Sequence, residues 1–235
     1  MTFLEKLGRL WDLRGLFLES LGYSLIIAFS SLLLGFVIGV VVAVVKIAPK
    51  NTLIMKILDK IAGIYITVIR GTPTLVQLLI MYSSVLVAFK SMDTNLVVPI
   101  VSFGINSGAY MAEIIRSGIQ SVDSGQMEAG RSVGLSWITT MRKIIIPQAI
   151  KVVIPTIFNE IIMLVKETSV VSYIVLMVGG KQKYDLLGIA DKLGLSNPAC
   201  YTLFLFATAA MYLVIVMLLT CLQKFIERKL TKNER

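Results

Sequence analysis

Apolar residues fill five long stretches of this chain, and short polar segments separate them. Ahead of the first stretch, Phe3, Leu4, Leu7, Leu10, Trp11, Phe17, Leu18 and Leu21 recur at helical spacing, with Lys6, Arg9, Asp12 and Glu19 between them. That pattern predicts an amphipathic helix over 1–21 lying in a membrane interface. The apolar stretches cover about 24–45, 57–89, 96–120, 148–173 and 198–222. Each reaches the roughly 20 residues that a helix needs to cross a bilayer. A polar insert over 121–147 joins the third to the fourth, a polar connector over 179–197 carries a short predicted helix from Tyr184 to Leu193, and 225–235 is a basic tail.

Polar positions inside the stretches subdivide them. Ser31, Gly35, Gly39 and Ala43 recur every four residues, a stripe of small side chains that lets a second helix approach closely. Arg70-Gly71-Thr72-Pro73 interrupts the second stretch and predicts a kink or break, since proline lacks the amide donor. Beyond it Thr74, Gln77 and Met81 share a face. In the third, Ser102, Asn106, Tyr110, Glu113 and Ser117 form a polar stripe that must avoid lipid, and Glu113 and Arg116 can pair. In the fourth, Pro155, Asn159, Met163 and Lys166 form one stripe, while Glu160 and Glu167 lie together about 100° round the helix. Glu160 is about 18 Å along that helix, near the middle of a hydrocarbon core about 30 Å thick. A charge there costs on the order of 2.5–3.5 kcal/mol, so it marks either a functional site or an ion pair, with Lys166 or Arg70 as partners.

The insert is the one motif-bearing polar element. From Glu128 to Pro147 it reads EAGRSVGLSWITTMRKIIIP, with Val133, Ile138, Met141, Ile144 and Ile145 three to five residues apart. This predicts a short amphipathic helix beyond a turn at Gly134, closed by Pro147, with Arg131, Arg142 and Lys143 on its polar side. Among membrane spans, such a face needs a partner.

Composition narrows the class. The chain has 235 residues, 56% of them hydrophobic and 16% charged, so it is an all-α integral membrane protein with about five transmembrane helices. The net charge of +9 is scattered beside apolar spans rather than gathered on a soluble face, which argues against a nucleic acid partner. Histidine is absent and the two cysteines, Cys200 and Cys221, lie in an apolar run, so no metal site is expected. With five spans, one side of the membrane carries fourteen basic residues, in Lys46–Lys60, in the insert with its flanks from Arg116 to Lys151 and in the C-terminal segment from Lys224, and the other side seven. The positive-inside rule then places the N-terminus outside and the insert and C-terminus in the cytoplasm.

Glu128-Ala129-Gly130, Gly134, Ile144 and Pro147 resemble the EAA motif of bacterial ABC importer permeases, with Gly130 in place of the second alanine and Ile146 in place of leucine. Arg70-Gly71-Thr72-Pro73, Ala109-Tyr110-Met111-Ala112-Glu113 with Arg116, Pro147-Gln148-Ala149, Pro155 with Asn159, and Lys166-Glu167-Thr168-Ser169 are similar to the polar amino acid branch of that family. Beyond Ser172 the likeness fades, and VLMVGGKQK stands where the family often has a Glu-Leu pair. The resemblance implies a type I importer fold in the bacterial inner membrane, with the insert as a cytoplasmic coupling helix. It also implies a separate ABC ATP-binding subunit, an extracellular or periplasmic solute-binding protein, and a permease dimer of two copies or of this chain with a second permease. Glu128, Ala129, Gly130, Arg131, Gly134, Leu135, Trp137 and Pro147 become the ATPase-coupling residues, with Gly134 as the tight turn and Val133 and Ile138 as further apolar contacts.

No Gly-x-x-x-x-Gly-Lys-Ser/Thr phosphate loop occurs, so ATP is expected on the partner, with no cofactor here and no enzymatic activity. For the substrate of such a permease, a polar amino acid, the candidates are Asn159, Glu160, Met163, Ser102, Asn106, Gln77, Lys166 and Glu167. Amide and hydroxyl groups would take its polar atoms, and Glu160 an ammonium or a cationic side chain such as that of arginine, lysine or histidine. A membrane scaffold that recruits another partner through its basic loop is the alternative. A membrane enzyme using Glu113 or Glu160 lacks any accompanying nucleophile or metal-ligand cluster.

Overall fold

The structure is a computed structural model and describes residues 2–88 and 96–232. In chain order it has α1 (Phe3–Asp12), α2 (Arg14–Ile47), α3 (Leu53–Arg70), α4 (Thr74–Ala88), α5 (Val97–Gln120), α6 (Ser124–Ser132), α7 (Trp137–Thr140) and α8 (Ile146–Glu167). A two-stranded hairpin follows, β1 (Leu176–Val178) antiparallel to β2 (Lys181–Lys183), then α9 (Leu186–Ser196) and α10 (Tyr201–Lys232). Among the described residues four helical segments are long and apolar enough to cross a membrane, and the pair α3 and α4, bent by 104° at its break, makes a fifth if counted as one.

Several predicted boundaries move. The 1–21 segment is two helices, not one: a capping box in which Thr2 and Glu5 bond each other's amides starts α1, Leu13 ends it, and α2 begins at Arg14. Leu10, Leu13 and Phe17 on either side of that boundary pack on residues of α9 and α10. The second stretch is broken as Gly71-Thr72-Pro73 predicted, and its last position and the polar residues 91–95, where a short loop is expected, lie outside the described residues. The helix expected from Tyr184 starts instead at Leu186, where Asp185 caps it. Helix also extends through Lys232, so the described part of the 225–235 tail continues α10, and 233–235 lie outside the described residues.

The chain forms two compact units. One joins Met1–Leu34, Thr72–Gly104 and Ile161–Leu218. Its core gathers Phe17, Leu186, Ile189, Ala190, Cys200 and Phe204, with the Phe17 and Phe204 rings tilted at 6.0 Å. The first-turn amides of α9 are satisfied individually: Asp185 accepts from Leu187 and Gly188, and the Leu186 amide donates to Ser24 Oγ at 3.0 Å.

Burial around Asp185 pushes its carboxyl up to about 7 from an ordinary 3.8; the neighbouring Asp191 acts in the same direction and the capping amides oppose it. Between about 4 and 7 the folded chain therefore binds a proton that the unfolded chain has lost. Stability falls as pH rises through that window, by up to about 1.4 kcal/mol per pH unit, and levels off above it. Asp185→Asn keeps a capping acceptor and removes this contribution. Thermal unfolding of both proteins at pH 5 and pH 7.5 should show a larger drop for the wild type, and equal drops would count against the assignment.

The other unit joins Gly35–Gly71, Ile105–Glu160 and Leu219–Arg235. Here the small-residue stripe brings α2 against α5. A Cβ on Gly35 would lie 2.7 Å from Ser107 Cβ, one on Gly39 would fall on the Met111 side chain, and Ala43 is fully buried. In lipid such contacts are the main source of helix association, since hydrocarbon offers no hydrophobic drive. Tyr65 donates its hydroxyl to the Ile105 carbonyl at 2.6 Å, Asp59 holds both Lys46 and Lys50 at 2.8 Å, and Arg70 lies over the Tyr110 ring.

Candidate functional site

Two constellations in the second unit carry the chemistry. The first is the insert. Asp123 Oδ1 accepts the Gly125 amide and starts α6, which carries Glu128, Ala129, Gly130 and Arg131. The helix closes in a Schellman turn: the Gly134 amide donates to Arg131 O at 3.0 Å and the Leu135 amide to Gly130 O at 3.1 Å, with Gly134 at φ 84°. Arg131 adds a bond from Nη1 to the Leu135 carbonyl. Ser136 then caps α7 through the Thr139 amide. Helix follows the Gly134 turn as expected, but it runs on past α7 towards α8 instead of ending, and a further short helix, α6, precedes the turn.

Nor does Pro147 close the insert. It is the second residue of α8, and five residues of π-helix, Met141–Ile145, connect α7 to it. Proline has no amide and crowds the carbonyl four residues back, so a widened turn is the local solution.

The insert's surface is sorted clearly. Val133 and Ile138 are 77% and 70% exposed, large apolar side chains that flank the turn. Glu128, Ala129, Arg131 and Pro147 are also exposed, while Leu135 and Trp137 are half-buried. Gly130, expected as a contact, instead faces inward: a Cβ there would sit 2.5 Å from Thr140 Cγ2. The glycine at the motif's second-alanine position is therefore matched to a buried threonine that packs on it, and its role is to hold α6 against α7.

The second constellation lies along α5, α8 and α10. Ser107 Oγ donates to Glu160 Oε1 at 2.7 Å, with Ser107 fully buried and Glu160 half-buried. Asn106 is buried beside Ser107 in the chain. Asn159 is exposed, and its Oδ1 accepts from Gln223 Nε2 at 3.2 Å; the same amide reaches Glu227 Oε1 at 3.0 Å. Arg116 clasps Glu113 through Nε and Nη2, so that pair is structural. Among the predicted residues, Asn106, Asn159 and Glu160 belong to this unit.

The remaining candidates belong to the first unit. Ser102 is buried, Met163 and Lys166 are exposed, and Glu167 is half-buried. Gln77 donates to the Thr72 carbonyl and hydroxyl, which makes it a clasp over the helix break. Ser107 and Gln223 are not marked out by the sequence pattern. Ser107 lies off the polar stripe of its helix, and Gln223 falls just beyond the predicted end of the last span.

Comparison with known proteins decides the class. The family described as the inner membrane component of binding-protein-dependent transport systems matches residues 35–232. The chain belongs to this family. It is a permease of the ABC importer class, as the EAA-type insert implied, and not itself an enzyme, since a separate subunit hydrolyses ATP. A putative glutamine transport system permease protein of Rickettsia typhi is 35% identical over 216 residues, covering 92% of this permease and 91% of the relative. An arginine transport system permease protein of Corynebacterium glutamicum is 34% identical over 220 residues, which cover 86% of this chain; the chain spans 64% of that relative's length. Among solved structures, an amino acid ABC transporter crystallised with histidines superposes with a TM-score of 0.84 at 36% identity, covering 97% of this permease and 99% of that chain. The permease therefore has the type I importer fold expected for it.

Proposed function

We propose that this permease imports a polar amino acid with a cationic side chain. In this reading access alternates as a separate ATPase, docked on the insert, opens and closes. The observation that carries the substrate reading is the Glu160 carboxylate, fixed by the buried Ser107 hydroxyl on one oxygen and lying next to the exposed Asn159. A carboxylate within a membrane span offers a cation an ionic partner, and amides on the same elements suit the substrate's neutral polar atoms. Relatives named for arginine and glutamine support an amino acid, and the charge of Glu160 favours the cationic one.

The docking reading is supported by Val133 and Ile138, exposed on either side of a rigid turn, with Glu128 and Arg131 exposed nearby. The excess of basic residues on the insert's side supports a cytoplasmic ATPase there, with the N-terminus and the solute-binding protein opposite. A second permease, identical or different, completes the pore. The chain is to be co-expressed with an ATP-binding subunit and a solute-binding protein of this transporter class, purified, and placed in liposomes. ATP-dependent accumulation of labelled arginine, faster than that of glutamine, is the expected result. A chain that retains no ATP-binding subunit, or a complex that accumulates neither amino acid, would overturn the proposal.

A further inference from the structure

We infer that the first unit carries a binding site for a phospholipid, with an acyl chain in the groove between α1, the start of α2 and α10, and the phosphate on Arg14. The groove has a volume of about 740 Å³, and Leu10, Trp11, Phe17, Leu18, Ala210 and Met211 line it together with Arg14. Among the lining residues described, Arg14 alone is charged. Ala210 gives the groove a small residue on its α10 wall, and Phe17 and Met211 join it to the core of this unit.

The surroundings select the occupant. Both α2 and α10 are helices of membrane-spanning length and apolarity, so the solvent beside the groove is hydrocarbon. Hydrocarbon gives protein no hydrophobic reason to cover an apolar groove, whereas a flexible lipid chain fills one at little cost. Arg14 stands where the chain passes from the amphipathic α1 to the apolar α2, at the level where headgroups meet acyl chains.

The guanidinium is held in place. Its Cζ lies 4.6 Å from the centre of the Trp11 ring, and Nη1 donates to the Trp11 carbonyl at 2.8 Å. Capping the end of α1 uses one of five N–H donors, which leaves enough for a phosphate. A guanidinium fixed by an aromatic face at the rim of an apolar groove matches a phospholipid in both its parts: an anionic head and a linear apolar tail.

The test uses the purified full chain in detergent micelles and phosphatidylglycerol with a dibrominated acyl chain, which quenches tryptophan on contact. The chain has two tryptophans, so Trp137→Phe leaves Trp11 as the reporter. Saturable quenching is expected. Arg14→Gln should raise the half-saturating lipid concentration about tenfold, the loss of one charge-assisted hydrogen bond. Ala210→Leu, which fills the groove, should remove most of the saturable component while the protein stays monodisperse. Quenching that rises linearly with lipid and is the same in all three proteins would overturn the site. So would an Ala210→Leu protein that loses a dimer in light scattering with quenching unchanged, because the groove would then be covered by a second copy of the chain.

Discussion

Replacing Glu160 with glutamine should remove most of the proposed preference for arginine over glutamine. Glutamine is close to isosteric and still offers an oxygen to the Ser107 hydroxyl, now 2.7 Å from Glu160 Oε1, so the packing of α8 against α5 is kept. What disappears is the negative charge. A hydrogen bond to a charged group contributes about 1.5–3 kcal/mol, which corresponds to roughly a ten- to hundredfold fall in the ratio of arginine to glutamine uptake. The ratio is to be read in proteoliposomes with saturating binding protein, and Ser107→Ala, which removes that hydrogen bond but keeps the charge, should shift it far less. An unchanged ratio in Glu160→Gln would place this carboxylate in a structural role and remove the basis for a cationic substrate.

Gly134→Val should uncouple ATP hydrolysis from uptake. Gly134 sits at φ 84°, and nothing lies within 4 Å of a Cβ built there, so any effect is conformational rather than a clash. The left-handed region costs an ordinary residue roughly 1–2 kcal/mol, and a β-branched one is a true outlier there. Refolding the turn into an accessible conformation breaks the two Schellman bonds and changes the spacing of the exposed Val133 and Ile138. Uptake is expected to fall at least about tenfold, with the permease still inserted and ATP hydrolysis no longer answering to substrate-loaded binding protein. Asparagine, which tolerates this conformation, should be milder and alanine intermediate. Normal transport in the valine variant would count against a coupling role for the turn.

Much of this was legible locally. The break at Gly71-Thr72-Pro73 follows from a missing amide, the left-handed turn at Gly134 from a missing Cβ, and the close approach of α2 to α5 from small residues every four positions. The site was legible only in part. Glu160 stood out because a carboxylate in an apolar helix is costly, but Gln77 is engaged with Thr72 in the helix break and Gly130 is buried against Thr140. Side-chain type gives no sign of such engagements, which depend on residues that a one-dimensional pattern does not bring together.

The sequence by itself determined the membrane class, the family and the positions of the breaks, because hydropathy, backbone freedom and a motif of fixed spacing are properties of neighbouring residues. Tertiary structure decided the rest. Only folding brings Ser107 to Glu160 across 53 positions, or sets Gly130 under Thr140. The same holds for the packing of Leu10, Leu13 and Phe17 on residues of α9 and α10. Contacts between distant segments carry the large packing and hydrogen-bond terms that local preference, worth a fraction of a kcal/mol per residue, does not resist.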